Sequence, residues 1–378
     1  MQKSSEENRI IQRDSNIELF RIILMLVIIA HHYVVNSGLS SIEGPIAKNM
    51  GSLRSLGLLI FGAWGKTGIN CFVLITGYFS CKMDVTARKF FKLLFEVLFY
   101  NIIIGLIFIV SGYTQPSPAV ILDMVFPFTE VGRNFTATYL LFFLCIPFLN
   151  ILIRSMTERQ HFCLLITLGF IYVFLGTIPY IVISTNYVTW FSVVYLLAAF
   201  IRLYPKKIYG NRRFWGIMLL VSMGTGTASV IACTLLGLIA GPGYWYIFVT
   251  DCNTFLAVLT SVCAFLYFRN INIGHSRFIN TVSATTFGVF LIHTSGSMAQ
   301  WLWIDTLKNV EMYNSALMPL HAILSVVCVF VVCSVIDLAR INLVEKPFFR
   351  VWDRHWPKIQ SKFQQRLDRF CSRLGIRN

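Results

Sequence analysis

The stretch NIELFRIILMLVIIAHHYVV, residues Asn16–Val35, is long and apolar enough to cross a membrane, yet it carries Glu18, Arg21, His31 and His32. A span needs about 20 apolar residues. On an α-helix each residue turns about 100°, so Arg21 and His32 return to nearly the same face, about 16 Å apart along the axis. Glu18, three positions before Arg21, joins that stripe. His31 points about 100° away and reads as a packing residue. Ionisable groups in hydrocarbon are costly, so the stripe is expected to face a protein interior or a wet cavity and to carry function. The plain account has Arg21 snorkelling to the headgroups and His32 packing at the other interface.

The rest of the chain agrees with a membrane reading. Hydrophobic residues make up 56% of the 378 and charged residues 13%, with a mean hydropathy of +0.68. Soluble domains average about 25% charged residues. The net charge of +15 invites a nucleic-acid partner, but the charges sit at the ends of apolar runs and in a C-terminal tail, which argues against that class. The ten cysteines are scattered through apolar runs without metal-ligand or redox spacing, so no metal is expected. Ten candidate spans follow: roughly 17–36, 56–79, 90–111, 137–153, 162–182, 188–204, 214–240, 245–268, 285–304 and 319–341. The predicted fold is all-α, a polytopic membrane helix bundle of about ten transmembrane helices. The polar start MQKSSEENRIIQRDS runs into the first span without a small-residue cleavage site, as an uncleaved signal anchor does.

Lysine and arginine set the orientation, because cytoplasmic loops are enriched in them. With the N-terminus inside, the cytoplasmic side receives three in the leader, four at 82–92 and two at 154–159. It also receives five at 202–213, two at 269–277 and ten from Arg340 onward. The opposite side receives only Lys48, Arg54, Arg133 and Lys308. Both termini are therefore expected to be cytoplasmic. Three regions follow: a leader (1–16), a transmembrane domain (17–345) and a basic tail (346–378). On the outer side, Ala119–Phe128 reads as a re-entrant or interfacial segment over the mouth of a cavity, ahead of the polar run Thr129–Asn134. In the tail, Ile359, Phe363, Leu367, Phe370 and Leu374 recur every three or four residues among basic ones. That is an amphipathic helix suited to anionic lipids, or else a solvated basic tail.

Further polar islands lie in or beside the spans. Lys66 and Asn70 flank Gly68 within the second span, and Thr76-Gly77-Tyr78 closes it. The glycines are explained by close helix packing; two amine- and amide-bearing side chains in a span need partners. Arg88, Lys89 and Lys92 follow that span on the cytoplasmic side, either as ordinary topology signals or as an anion site for phosphates. His293 is buried in Phe287–His293, as a packing residue or a functional one. Glu345 stands among basic residues at the end of the last span, where pairing with a neighbouring cation explains it.

In order along the chain, these motifs resemble acyltransferase family 3, the multi-span acyltransferases that modify surface sugars. The first span has the acidic residue and R-x10-H of that family in Glu18, Arg21 and His32. Gly68-Ile69-Asn70 through Thr76-Gly77-Tyr78 is similar to the second-span motif, with one extra residue and Thr76 in the usual serine position. A basic cluster at Arg88, Lys89 and Lys92, an aromatic-Leu-Ile-His run ending at His293, and Val344-Glu345-Lys346-Pro347 complete the set. Tyr139 stands where tryptophan is common, so no role is carried onto it. Only a short tail follows the last span, so the chain is expected to act without an appended hydrolase-like domain.

The resemblance implies transfer of an acyl group, usually acetyl, from cytoplasmic acyl-coenzyme A (acetyl-CoA) to a hydroxyl of an extracytoplasmic glycan or lipid-linked sugar, in a plasma or bacterial inner membrane. His32 would be general base or transient acyl carrier, with Glu18 and Arg21 paired beside it. Arg88, Lys89 and Lys92 would hold the coenzyme. Lys66 or Asn70 would donate to the oxyanion, and His293 and Glu345 would support. The residues alone leave a second class open: a buried Glu18/Arg21/His32 stripe serves proton coupling in a secondary transporter or lipid-linked sugar flippase equally well. No internal repeat is evident, which counts against that class.

Overall fold

The structure, a computed structural model, describes residues 14–374 and 376 apart from 84, 130–134, 180, 182, 184, 185 and 250. Most of the expected leader, Glu130–Asn134, and the side chains of Phe363 and Leu367 lie outside the described residues. The main helices are α1 (Ser15–Val35), α2 (Leu53–Gly62), α3 (Gly65–Ser80), α4 (Ala87–Val110), α5 (Pro118–Val125), α6 (Phe135–Ser155) and α7 (Glu158–Leu168). They continue with α8 (Tyr187–Leu203), α9 (Arg212–Ala240), α10 (Phe255–Arg269), α11 (Arg277–Ser283), α12 (Thr286–Thr294), α13 (Gly296–Gln300), α14 (Met318–Arg340) and α15 (Lys346–Arg373). No strand occurs among the described residues. This follows from the solvent: in hydrocarbon a spanning backbone must satisfy its own hydrogen bonds, and a helix does so within one segment.

Among the described residues, seven helices are long and apolar enough to cross a membrane. The 21 residues of α1 reach about 31 Å, close to the thickness of the hydrocarbon core. Two expected spans are shorter, 17 residues in α8 and 15 in α10. The tract before α10, from Gly241 to Thr254, is not helical where it is described. The expected span 285–304 is not one helix: α12 stops at Thr294, Ser295 leaves the helical conformation with a ψ of 132°, and α13 runs into a π-helical turn, Trp301–Thr306. The second span breaks at Ala63-Trp64, just ahead of its polar patch.

α1 is central. It packs against α2, α3, α10, α11, α12 and α14, and Phe20, Ile29 and Tyr33 are almost wholly buried. The periphery is apolar instead: Leu220 and Ile239 of α9 and Val335 of α14 are exposed, as befits side chains whose solvent is lipid. At one end of the bundle lie Asp14, the starts of α4 and α11 and the C-terminal helix; this is the basic end. The last span continues through a π-helical turn, Ile341–Glu345, into α15, whose Ile359 and Phe370 are exposed.

Candidate active site

His32, in the last turn of α1, meets His293, in the last turn of α12. His32 Nδ1 lies 2.9 Å from His293 Nε2, and His293 Nδ1 lies 2.6 Å from the Val289 carbonyl oxygen. The directions of these bonds follow from chemistry. A carbonyl only accepts, so His293 Nδ1 carries the proton and donates. In a neutral imidazole the other nitrogen then carries a lone pair, so His293 Nε2 accepts from His32 Nδ1–H. His32 Nε2 is thereby left with a lone pair, as a base requires. Sequence reading had both histidines, but their pairing across 261 residues is new.

His32 lines a cavity of about 510 Å³ with Lys66, Asn36, Asn101, Tyr187 and Asp123 among its polar walls. The break after His293 serves this cavity: Thr294, Ser295, Gly296 and Ser297 all line it. Irregular backbone at membrane depth is tolerated where it faces protein or a wet space. The short helix α5 contributes Val120, Asp123 and Met124 to the wall, in agreement with the segment expected over a cavity mouth. Lys66 donates to Tyr187 Oη at 2.8 Å and lies 5.3 Å from that ring's centroid. His31, by contrast, bonds the Gly62 carbonyl at 2.6 Å, next to the helix break. Gly65 has no room for a side chain there, since a Cβ would lie 2.3 Å from the His31 ring.

Two of the expected site residues have structural partners. Asn70 Nδ2 donates to the Cys252 carbonyl at 2.6 Å and its Oδ1 accepts from Trp190 Nε1 at 2.9 Å. It clamps α3 to α8 and the tract before α10. Glu18 does not pair with Arg21 among the described residues; its Oε2 accepts from Ser283 Oγ at 2.5 Å. Arg21 is half-buried, and its Nε is buried without a hydrogen-bond partner. Tyr139 Oη lies 3.0 Å from Thr76 Oγ1, which also donates to the Phe72 carbonyl; the tyrosine thus closes on the motif threonine.

A second cavity, of about 770 Å³, opens at the basic end. Arg88 and Lys92 line it together with Arg277, Arg340, Lys346 and Arg350, while Lys89 lies outside its lining. Carboxylates already engage several of these cations. Arg88 grips Asp353 through two bonds of 2.6 and 2.7 Å, and Lys92 lies 2.7 Å from Glu345. Behind them Arg340, 2% exposed, bonds Asp337, Glu345 and Glu96 at 2.6, 2.8 and 2.9 Å. Tyr100 Oη donates to Asp337 at 2.7 Å. The π-helical turn explains the Arg340–Glu345 contact, because residues five apart share a face there.

Sequence reading missed Arg340, Asp337 and Glu96 as a unit. The signal was present, since Glu96 and Asp337 are ionisable residues within apolar runs, like Glu18. One helix serves both cavities: Arg88, Lys92 and Glu96 of α4 line the cavity at the basic end, and Val97, Asn101 and Ile104 line the other. Among the described residues no cluster of three or more His, Cys, Asp or Glu side chains is placed to hold a metal ion.

A family model described as an acyltransferase domain matches residues 14–338 of the chain. The chain belongs to acyltransferase family 3. With its apolar helices, this acyltransferase is a multi-pass membrane protein. No curated protein and no solved structure matches it. Within the matched region of this family 3 acyltransferase lie the His32–His293 pair, Arg21, Lys66 and the basic α4 start.

Proposed function

We propose that the protein is an O-acyltransferase, most simply an O-acetyltransferase, of the plasma or inner membrane. Acyl-coenzyme A enters from the cytoplasm at the basic end, and the acceptor is a hydroxyl of an extracytoplasmic polysaccharide or lipid-linked sugar. The observation that carries this reading is the bond chain Val289–His293–His32, which leaves a basic nitrogen on His32, a residue that lines one cavity, while a cationic cavity opens at the other end.

The donor's phosphates suit Arg88, Lys92, Arg277 and Arg350, exchanging for the carboxylates of Asp353 and Glu345; such groups bind phosphate well. The pantetheine arm would run beside α4 past Arg21, whose unpartnered Nε is a donor for its polar groups. His32 Nε2 takes the proton of the acceptor hydroxyl as its oxygen attacks the thioester carbonyl. Lys66, which lines the same cavity, donates to the developing oxyanion. As the C–S bond breaks, the imidazolium returns the proton to the departing thiolate. One ester and one free thiol result. The charge bias of the loops supports cytoplasmic termini.

The test supplies acyl-labelled acetyl-coenzyme A to membranes bearing wild type, His32→Ala or His32→Gln at equal protein level. Label should enter extracytoplasmic glycan as base-labile ester with wild type and fall by on the order of 10²–10⁴-fold in both variants. Full transfer by His32→Gln would remove His32 from the chemistry. Thioester left intact by wild type, with solute moving across the membrane in the absence of donor, would replace the reading with transport.

A further inference from the structure

The cover helix α5 carries a feature that the chemistry above does not use. Val120, Asp123 and Met124, at the i, i+3, i+4 spacing of one helix face, line the His32 cavity together with Pro127 beyond the helix end. Ile121, Leu122 and Val125 point the other way and are about half exposed, at 51, 51 and 54%. The helix thus turns its apolar side outward, while its one ionisable group, Asp123, lines the cavity and is itself exposed. No hydrogen bond or ion pair engages Asp123 among the described residues.

The helix is held, not loose. Pro118 stands in its first turn and Ser117 Oγ accepts from Val120 N at 3.3 Å. The preceding loop is tied to the far wall of the cavity: Thr114 Oγ1 lies 2.7 Å from Ser297 Oγ, and Tyr113 donates to Asp305. Met124 seats on Gly105 of α4 so closely that a Cβ at Gly105 would lie 2.6 Å from it. A carboxylate held on such a support has a defined position relative to the base across the cavity.

The chemistry of that wall selects a ligand class. An ionised carboxylate accepts hydrogen bonds strongly, and vicinal hydroxyls offer two donors to its two oxygens. It also repels a second carboxylate. The cavity's cation, Lys66, bonds the neutral Tyr187 hydroxyl and keeps its charge for the oxyanion role given above, and Asn36, Asn101 and Thr129 add neutral polar groups. We infer that Asp123 is the acceptor-positioning residue, and that it selects a neutral polyhydroxylated sugar ring over a uronate or other anionic sugar. This inference rests on the glycan-acceptor reading, and it names the acceptor class within that reading.

Binding without donor tests it independently of catalysis. Detergent-solubilised full-length protein is equilibrated with tritiated neutral disaccharides based on glucose, galactose and N-acetylglucosamine, and with their uronate counterparts. Wild type should bind a neutral member at least tenfold tighter than its uronate. Asp123→Ala should lose at least tenfold on the neutral sugar, and Asp123→Asn should narrow the neutral-to-uronate ratio. Leu122→Ala, on the outward face of the same helix, should bind as wild type does. Equal binding by wild type and Asp123→Ala, or an equal loss in Leu122→Ala, overturns the assignment. Sugar binding that depends on Asp123, alongside no acyl transfer by wild type, would sink the transferase chemistry and leave Asp123 standing.

Discussion

In the proposed mechanism His293 would act on the acceptor only through His32, to which it is bonded, so its contribution would be positional and can be separated from packing. In His293→Gln, a side-chain carbonyl remains to accept from His32 Nδ1–H, whereas His293→Leu removes every acceptor. Transfer should fall by on the order of 10²-fold in His293→Leu and recover part of that loss in His293→Gln. Equal protein level and unchanged KM for acetyl-coenzyme A are expected in both. If the two variants lose activity equally, orientation of His32 is not what His293 provides. His31 offers the contrast: its bond to Gly62 holds a helix break, and its loss should lower protein yield before it lowers turnover per folded molecule.

At the scale of elements, the junction of α4, α14 and α15 is held by charge inside the bundle. Arg340 satisfies three carboxylates at 2% exposure. Removing one partner of such a group leaves uncompensated buried charge, so Arg340→Met should destabilise by about 3–5 kcal/mol. Detergent-solubilised protein should show this as a lower unfolding temperature or earlier proteolysis. Arg88→Ala removes a pair whose side chains are 46 and 45% exposed; it should cost less than about 1 kcal/mol of stability while raising the KM for donor. A stability loss in Arg88→Ala as large as that in Arg340→Met would mean that α15 docking, not donor binding, is the cluster's main work.

At the scale of the molecule, the two cavities open toward different ends of one bundle and share α4 as a wall. The proposed route requires those ends to lie on opposite sides of the membrane. Thr129→Cys should react with a membrane-impermeant maleimide in intact cells, and Arg350→Cys only in inverted vesicles, each read as signal above wild type. Labelling of both from one side would overturn the proposed topology. The fold class itself was legible in the sequence because hydropathy is local. An apolar run of about 20 residues has few alternatives to a helix in lipid. The span 285–304 misled because apolar composition does not reveal where a chain breaks to line a cavity. Lys66 lines the His32 cavity, whereas Asn70, equally conspicuous in the sequence, bonds Trp190 and the Cys252 carbonyl.

What the sequence by itself determined was the all-α membrane class, the family motifs, and the ionisable residues that hydrocarbon would not tolerate without partners. Those features depend on composition and on a period of 3.6 residues, both readable within one segment. Only the tertiary structure decided the partners. His32 meets His293 across 261 residues, Glu18 meets Ser283 across 265, and Arg340 meets Glu96 across 244. Helices in a bilayer are sorted by close packing and interhelical hydrogen bonds, not by their shared apolarity. The arrangement that turns scattered polar residues into a base, a clamp and a charge cluster is therefore a property of the assembled bundle.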